Sequence, residues 1–399
     1  MIISFLAVGA LAAPVVDGAA STGDDTVGVA LSEPAVAADG IINGEAAGSD
    51  DWPMAGGLMM SLDVSFGAHQ LLLDTFLCSS TLIAPDVVLL AAHCVDPEAL
   101  NYSMTFGFGE TEILAMGWTR EADLTYWTED MGTGFPDDAV PVTEARYHAD
   151  FDIQALEVGL GENHDIALLF LAEPVLDVPL GVLPTVEEAA QMTEGAPVTV
   201  VGWGQQVATG LFEPPPAGTY GIKQQGESTI AGLGSYEMQI GAEVSDVRKC
   251  HGDSGGPTFF DVDAASVGKT RVVGVTSHAY DETDCNETGG VDTRVDAYLD
   301  WIDAELRDGC ATGVRSWCEE PGILPADYVV TDDSEPTGPG DTEDTEDSEP
   351  VVDTGSVSET GEGGGGGKGC GCDAPGAGPS VGLVVAGLLL ALRRRTGSR

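Results

Sequence analysis

Between residues 41 and 295, short runs of Val, Leu, Ile and Thr alternate with Gly, Pro, Asp and Asn, as at 82–83, 87–92, 166–171, 198–203 and 271–276. Apolar runs this short, bounded by turn formers, suit strands, so an all-β body is predicted. The period changes at 296–307, where Leu299, Ile302 and Leu306 recur at helical spacing. One amphipathic helix is predicted to close the β body. A single stretch breaks the rhythm: 107–148 is rich in Gly, Trp, Tyr and acidic residues and reads as an inserted surface loop.

Outside this block the periodicity is lost. Residues 2–13 form a short apolar run followed by the small residues Ala19 and Ala20, so 1–20 reads as a secretory signal, although one without the usual basic start. Residues 21–40 are small and acidic and are expected to be a flexible propeptide, leaving 41–307 as the folded domain. Residues 308–319 can form a small disulfide loop through Cys310 and Cys318. At 320–369 the composition turns to Asp, Glu, Thr, Ser, Pro and Gly, a self-repelling acidic linker. The tail 370–399 holds an apolar run at 381–392, short of the roughly twenty residues that a membrane-spanning helix needs.

Charge narrows the partners. With 66 acidic against 15 basic side chains the net charge is -51, which repels nucleic acid and anionic lipid. The 8 cysteines suit pairing in an oxidising compartment, in keeping with export. They lack the paired spacing of a zinc site, and no EF-hand pattern is present, so neither metal nor cofactor is expected.

The candidate chemistry lies in Lys249-Cys250-His251-Gly252-Asp253-Ser254-Gly255-Gly256-Pro257, which sets a serine in a glycine-rich turn. A serine hydroxyl is a weak nucleophile and needs a histidine to take its proton and a carboxylate to orient that histidine. Ala91-Ala92-His93-Cys94 and His164-Asp165-Ile166-Ala167-Leu168-Leu169 supply both upstream. With Ile41-Ile42-Asn43-Gly44, Trp52-Pro53 and Gly202-Trp203-Gly204, in this order, the chain resembles the chymotrypsin/trypsin family of serine endopeptidases over residues 41–307.

That resemblance implies two packed antiparallel six-stranded β-barrels of the chymotrypsin type with a C-terminal helix. It also implies His93, Asp165 and Ser254 as catalytic residues, the amides of Gly252 and Ser254 as oxyanion donors, and a protein or peptide substrate. It proposes the bridges Cys78–Cys94 and Cys250–Cys285, the second bracing the substrate pocket. Ile41 matches the residue whose new amino group pairs with the aspartate before the serine, here Asp253. Gly40 precedes it where trypsin-like self-activation needs Arg or Lys, so a separate activating protease is implied.

Substrate contacts implied by the resemblance are Arg248, His251, Ser277, His278, Ala279 and Asp292. Arg248 stands six positions before the serine, where trypsin has an aspartate. Pointing into the pocket it would favour acidic side chains; neutralised by Asp292 it would leave a shallow pocket for small or neutral ones. A shifted alignment over 245–249 is the remaining alternative. The tail, with Cys370-Gly371-Cys372, the short apolar run and Arg393-Arg394-Arg395, resembles a myxobacterial-type C-terminal sorting signal. It implies sorting or anchoring machinery at a membrane and attachment through Cys370 or Cys372; a short permanent anchor is the alternative. The expected protein is thus an exported endopeptidase at the cell surface or outer membrane, attached or released. An inactive binding or adhesion protein of the same fold is the competing expectation.

Overall fold

The computed structural model describes residues 40–324 except 130–131, 210–213, 264–268, 282–284 and 286–287. The expected signal, the propeptide before Gly40, the linker beyond 324 and the tail lie outside the described residues. The strands are β1 (Glu45–Ala46), β2 (Ala55–Phe66), β3 (His69–Ala84), β4 (Val87–Leu90), β5 (Glu110–Thr119), β6 (Val140–Tyr147), β7 (Ala167–Leu171), β8 (Pro197–Gly202), β9 (Gln224–Leu233), β10 (Glu237–Ile240), β11 (Pro257–Asp261), β12 (Thr270–Ala279) and β13 (Gly290–Arg294). Barrel one closes in the order β2-β3-β4-β7-β6-β5. Barrel two runs β9-β10-β13-β12-β11-β8 and closes through β8 against β9, with β1 added beside β9. All pairings are antiparallel, so the two six-stranded barrels expected from the sequence are present.

The stretch 107–148 corrects the sequence reading. It supplies β5 and β6, and only 120–139 connects them. β5 pairs with β2 along most of its length, but Glu110, Glu112 and Leu114 face solvent while Thr111 and Ile113 are half-buried. A strand with one wet face alternates weakly and in acidic composition resembles a loop.

The terminal helix also differs in its limits. A tight turn at Val295–Tyr298 precedes a helix at Leu299–Thr312, which ends at Gly313 with φ +78°. Leu299, Ile302 and Leu306 are buried as predicted, and Gly309 continues their stripe. A Cβ at Gly309 would lie 3.0 Å from Phe170 Cε1, so a small residue hides the fourth apolar position. Cys310 falls in the last turn of the helix, which outruns the expected end at 307, and its bridge to Cys318 closes the expected loop. Arg315, fully buried, pairs with Asp86 at 2.8 Å, and Trp317 N donates to the other carboxylate oxygen, which anchors this segment on barrel one. Both indole N–H groups of the buried Trp118 and Trp203 find acceptors, Ser80 Oγ and the Glu121 carbonyl. No helix among the described residues is long and apolar enough to cross a membrane.

Candidate active site

His93 sits in the tight turn Ala92–Cys94 that ends β4, and the Cys78–Cys94 bridge ties that turn to β3. Asp165 lies just before β7, whose register sets Ala167 opposite Leu90. The two residues therefore leave the same end of barrel one side by side. Asp165 is fully buried; its Oδ2 lies 2.7 Å from His93 Nδ1 and accepts from Ser277 Oγ at 2.6 Å, while Oδ1 accepts from His93 N at 2.9 Å. Burial alone would raise this carboxyl. The imidazole of His93, the Ser277 hydroxyl and the His93 amide outweigh it and hold the group below its ordinary value.

Ser254 comes from barrel two, in the turn that leads into β11. A Cβ at Gly255 would lie 2.9 Å from Leu90 Cβ and 3.1 Å from Ala91 N, so the serine turn presses directly on the strand end that delivers His93. Gly252 has φ +95°, and a Cβ there would strike Tyr220 Cε2 at 2.6 Å. Only glycine fits. The His251 carbonyl accepts from Gln205 N at 2.8 Å, and the Gly252 carbonyl accepts from Ser79 N at 3.2 Å and Ser79 Oγ at 2.9 Å. Because C=O and N–H point oppositely across a trans peptide, anchoring the His251 carbonyl turns the Gly252 N–H away from Gln205. Asp253 is buried beneath this turn and accepts from Gly204 N at 2.8 Å and Cys250 N at 2.9 Å. Burial, stronger than those donors and the nearby Lys249 and His251, pushes its carboxyl up to about 6.

Comparisons with known proteins give the family. A family model described as Trypsin matches residues 41–302, more than half of the chain. The chain belongs to the trypsin family. Relatives include chymotrypsin-like elastase family member 1 of Homo sapiens, 30% identical over 274 residues, with 66% of this chain and 90% of that protein covered. Chymotrypsin-C of Bos taurus is 28% identical over 282 residues, covering 67% and 89%. Among solved structures, HL collagenase is 20% identical with a TM-score of 0.45, covering 69% of this chain and 99% of that one.

Within this trypsin-family domain the other expected residues divide. Ile41 is fully buried with φ +34°, packed with Val198, Val200, Ile230, Met238 and Ile240 in barrel two. The Cys250–Cys285 bridge is formed. Ser277, expected only on the substrate-pairing strand β12, also holds Asp165. His278 is buried, its Nδ1 3.0 Å from Ser277 Oγ and its Nε2 3.1 Å from the Gly159 carbonyl; burial lowers its pKa. Ala279 ends β12 opposite Gly290.

The Arg248 expectation needs correction. Asp292 pairs not with Arg248 but with the fully buried Lys249, at 2.6 Å, and Thr258 Oγ1 bridges the two. Arg248 instead donates to the carbonyls of Cys285 and Val244, and its backbone pairs with Ile42. Side chains of adjacent residues in an extended segment point oppositely, so the pairing depends on a backbone path that spacing alone does not reveal. Two groups with metal-ligand types, Cys78-His93-Cys94 and Cys250-His251-Cys285, owe their sulfurs to disulfides, which offer no thiolate. Sequence reasoning missed Ser79, Glu237 and Thr293, all buried polar residues on strands. Only Ser79 interrupts an apolar run; polar residues recur around Glu237 and Thr293, which carry no such signal.

Proposed function

We propose that this trypsin-family protein hydrolyses peptide bonds by nucleophilic attack of Ser254. His93 takes the serine proton and returns it to the leaving amine. Asp165, bonded to Nδ1, keeps the imidazole in the tautomer whose Nε2 can accept that proton. The amides of Gly252 and Ser254 stabilise the oxyanion, an arrangement supported by the anchored carbonyls that share their peptides, His251 O accepting from Gln205 N and Asp253 O from Gly256 N, each at 2.8 Å. The observation that carries the reading is the buried His93–Asp165 pair beside the pinned serine turn.

The test is a serine-directed fluorophosphonate probe applied to protein cut between Gly40 and Ile41, with Ser254→Ala as control. Labelling of the wild type alone is expected; folded, correctly cut protein that takes no label in a Ser254-dependent way would instead support a binding or adhesion role. The sequence further supports export, a surface attachment through Cys370 or Cys372, and an activating protease acting before Ile41. In the native host, labelled protein is accordingly expected in the membrane fraction, with a soluble pool only after release.

For the substrate side chain, the Lys249–Asp292 pair supports a neutral pocket, since a buried cation matched by a carboxylate presents little net charge. Small or neutral residues are expected before the cut bond. Cleavage profiling on a mixed peptide library checks this: an Asp or Glu preference that disappears in Arg248→Ala would overturn it.

A further inference from the structure

Asp165 is delivered by barrel one but is also held from barrel two, through Ser277 and Thr293. Residues 157–164, leading into it, form a strap bonded at intervals to the second barrel. His278 Nε2 lies 3.1 Å from the Gly159 carbonyl. Glu237, first residue of β10 and only 1% exposed, accepts from Gly161 N at 2.7 Å and from Asn163 Nδ2 at 3.0 Å. Tyr298 Oη meets His164 Nδ1 at 3.2 Å. Directly across from Glu237 on β13 stands Thr293, whose hydroxyl donates to the Asp165 carbonyl at 2.9 Å. Asn163 in turn accepts from Glu157 N at 2.7 Å, folding the strap on itself. His164 takes φ +52°, a left-handed conformation that persists only where its surroundings enforce it.

We propose that Glu237 is a positioning residue for the reaction, its carboxylate clamping the strap so that Asp165 is held against His93. This rests on the peptidase reading above. Both carboxylate oxygens are occupied by N–H donors, so the clamp is made by the ionised form. A proton on either oxygen would face a donor and displace Gly161 N or Asn163 Nδ2.

The surroundings make that proton accessible near neutrality. Burial raises the Glu237 carboxyl, more than the Gly161 and Asn163 donors lower it, and the charges of Asp165 and Glu157 raise it further, to about 7. Tyr298 faces it from the segment before the terminal helix. Arg294, on the neighbouring strand, is engaged with Asp296 and the Gly234 carbonyl. Among the described residues no cation forms an ion pair with Glu237. The Glu237 clamp therefore loosens as pH falls, on top of the acid limb that general-base catalysis itself gives.

The experiment is kcat/KM against pH for the cut wild type, Glu237→Gln and Asn163→Ala, with a small peptide ester as substrate and thermal melts to establish folding. The wild-type acid limb is expected to steepen toward a two-proton slope. Glu237→Gln should show a one-proton limb and a plateau about tenfold lower, since the amide nitrogen meets one donor and a charge-assisted bond is lost. Asn163→Ala removes a donor that lowers the Glu237 pKa, so the clamp component should move to higher pH. A one-proton limb in the wild type, matched by the limbs of both variants, overturns the positioning role. Wild-type protein that takes no Ser254-dependent label at any pH overturns the peptidase reading and this proposal with it.

Discussion

Asp165→Asn is expected to lower kcat by about 10^4-fold while leaving the fold intact, the size known for the same change in serine-protease triads. The reason lies in which atoms Asp165 serves. Oδ1 accepts from His93 N and Oδ2 from His93 Nδ1 and Ser277 Oγ. An asparagine must place its NH2 at one of these positions. Facing the His93 amide, it would set donor against donor; at the other position it keeps the amide bond and donates to Nδ1. The second arrangement costs less, and it forces the ring proton onto Nε2. A protonated, neutral Nε2 cannot take the proton of Ser254. Steady-state kinetics on cut protein with a matching thermal melt checks this; an Asp165→Asn variant within tenfold of wild type would remove Asp165 from the mechanism. The loss should also appear in the rate of fluorophosphonate labelling, since that reaction needs the same proton transfer.

What the sequence made legible follows from where its signals come from. His93, Asp165 and Ser254 sit in short, strongly patterned segments, each next to an apolar strand or a glycine turn, so local composition singles them out as candidates. The barrels are legible where strands are buried on both faces, as in β4 and β7, whose residues are all buried. They are hidden where one face is wet, as in β5, where acidic side chains project outward. Pairing across the fold is the least legible level. Whether Lys249 or Arg248 meets Asp292 depends on which neighbour turns inward. The roles of Glu237 and Thr293 depend on the register of β10 with β13 beneath a strap more than seventy residues earlier in the chain. No periodicity records such contacts.

Cutting the chain between Gly40 and Ile41 is expected to raise kcat/KM by about 10^2 to 10^3-fold, the size of one oxyanion donor gained or lost. Two features of the uncut chain point this way. Ile41 is seated in the core of barrel two while its backbone takes φ +34°, a region that a β-branched residue enters only under strain, costing on the order of 1–3 kcal/mol. Beneath the serine turn, Asp253 is buried and raised from 3.8 to about 6 by desolvation. A folded value above the unfolded one means that the neutral form is favoured on folding: stability is complete at low pH and is lost as pH rises through about 6. The penalty at neutral pH is on the order of 3 kcal/mol. On the proposed activation, cleavage would release the strained peptide and create an ammonium to neutralise this carboxylate. The melting temperature of the cut form should therefore exceed that of the uncut form by a gap that widens from pH 5 to pH 7 and narrows again as the amino group deprotonates near pH 8. Measured in a Ser254→Ala background, where the protein cannot digest itself, the gap should no longer depend on pH across 5 to 7 in Asp253→Asn. An uncut chain as active as the cut one, with no pH-dependent gap in stability, would show that Ile41 and Asp253 are only core residues and that the serine turn is assembled without them.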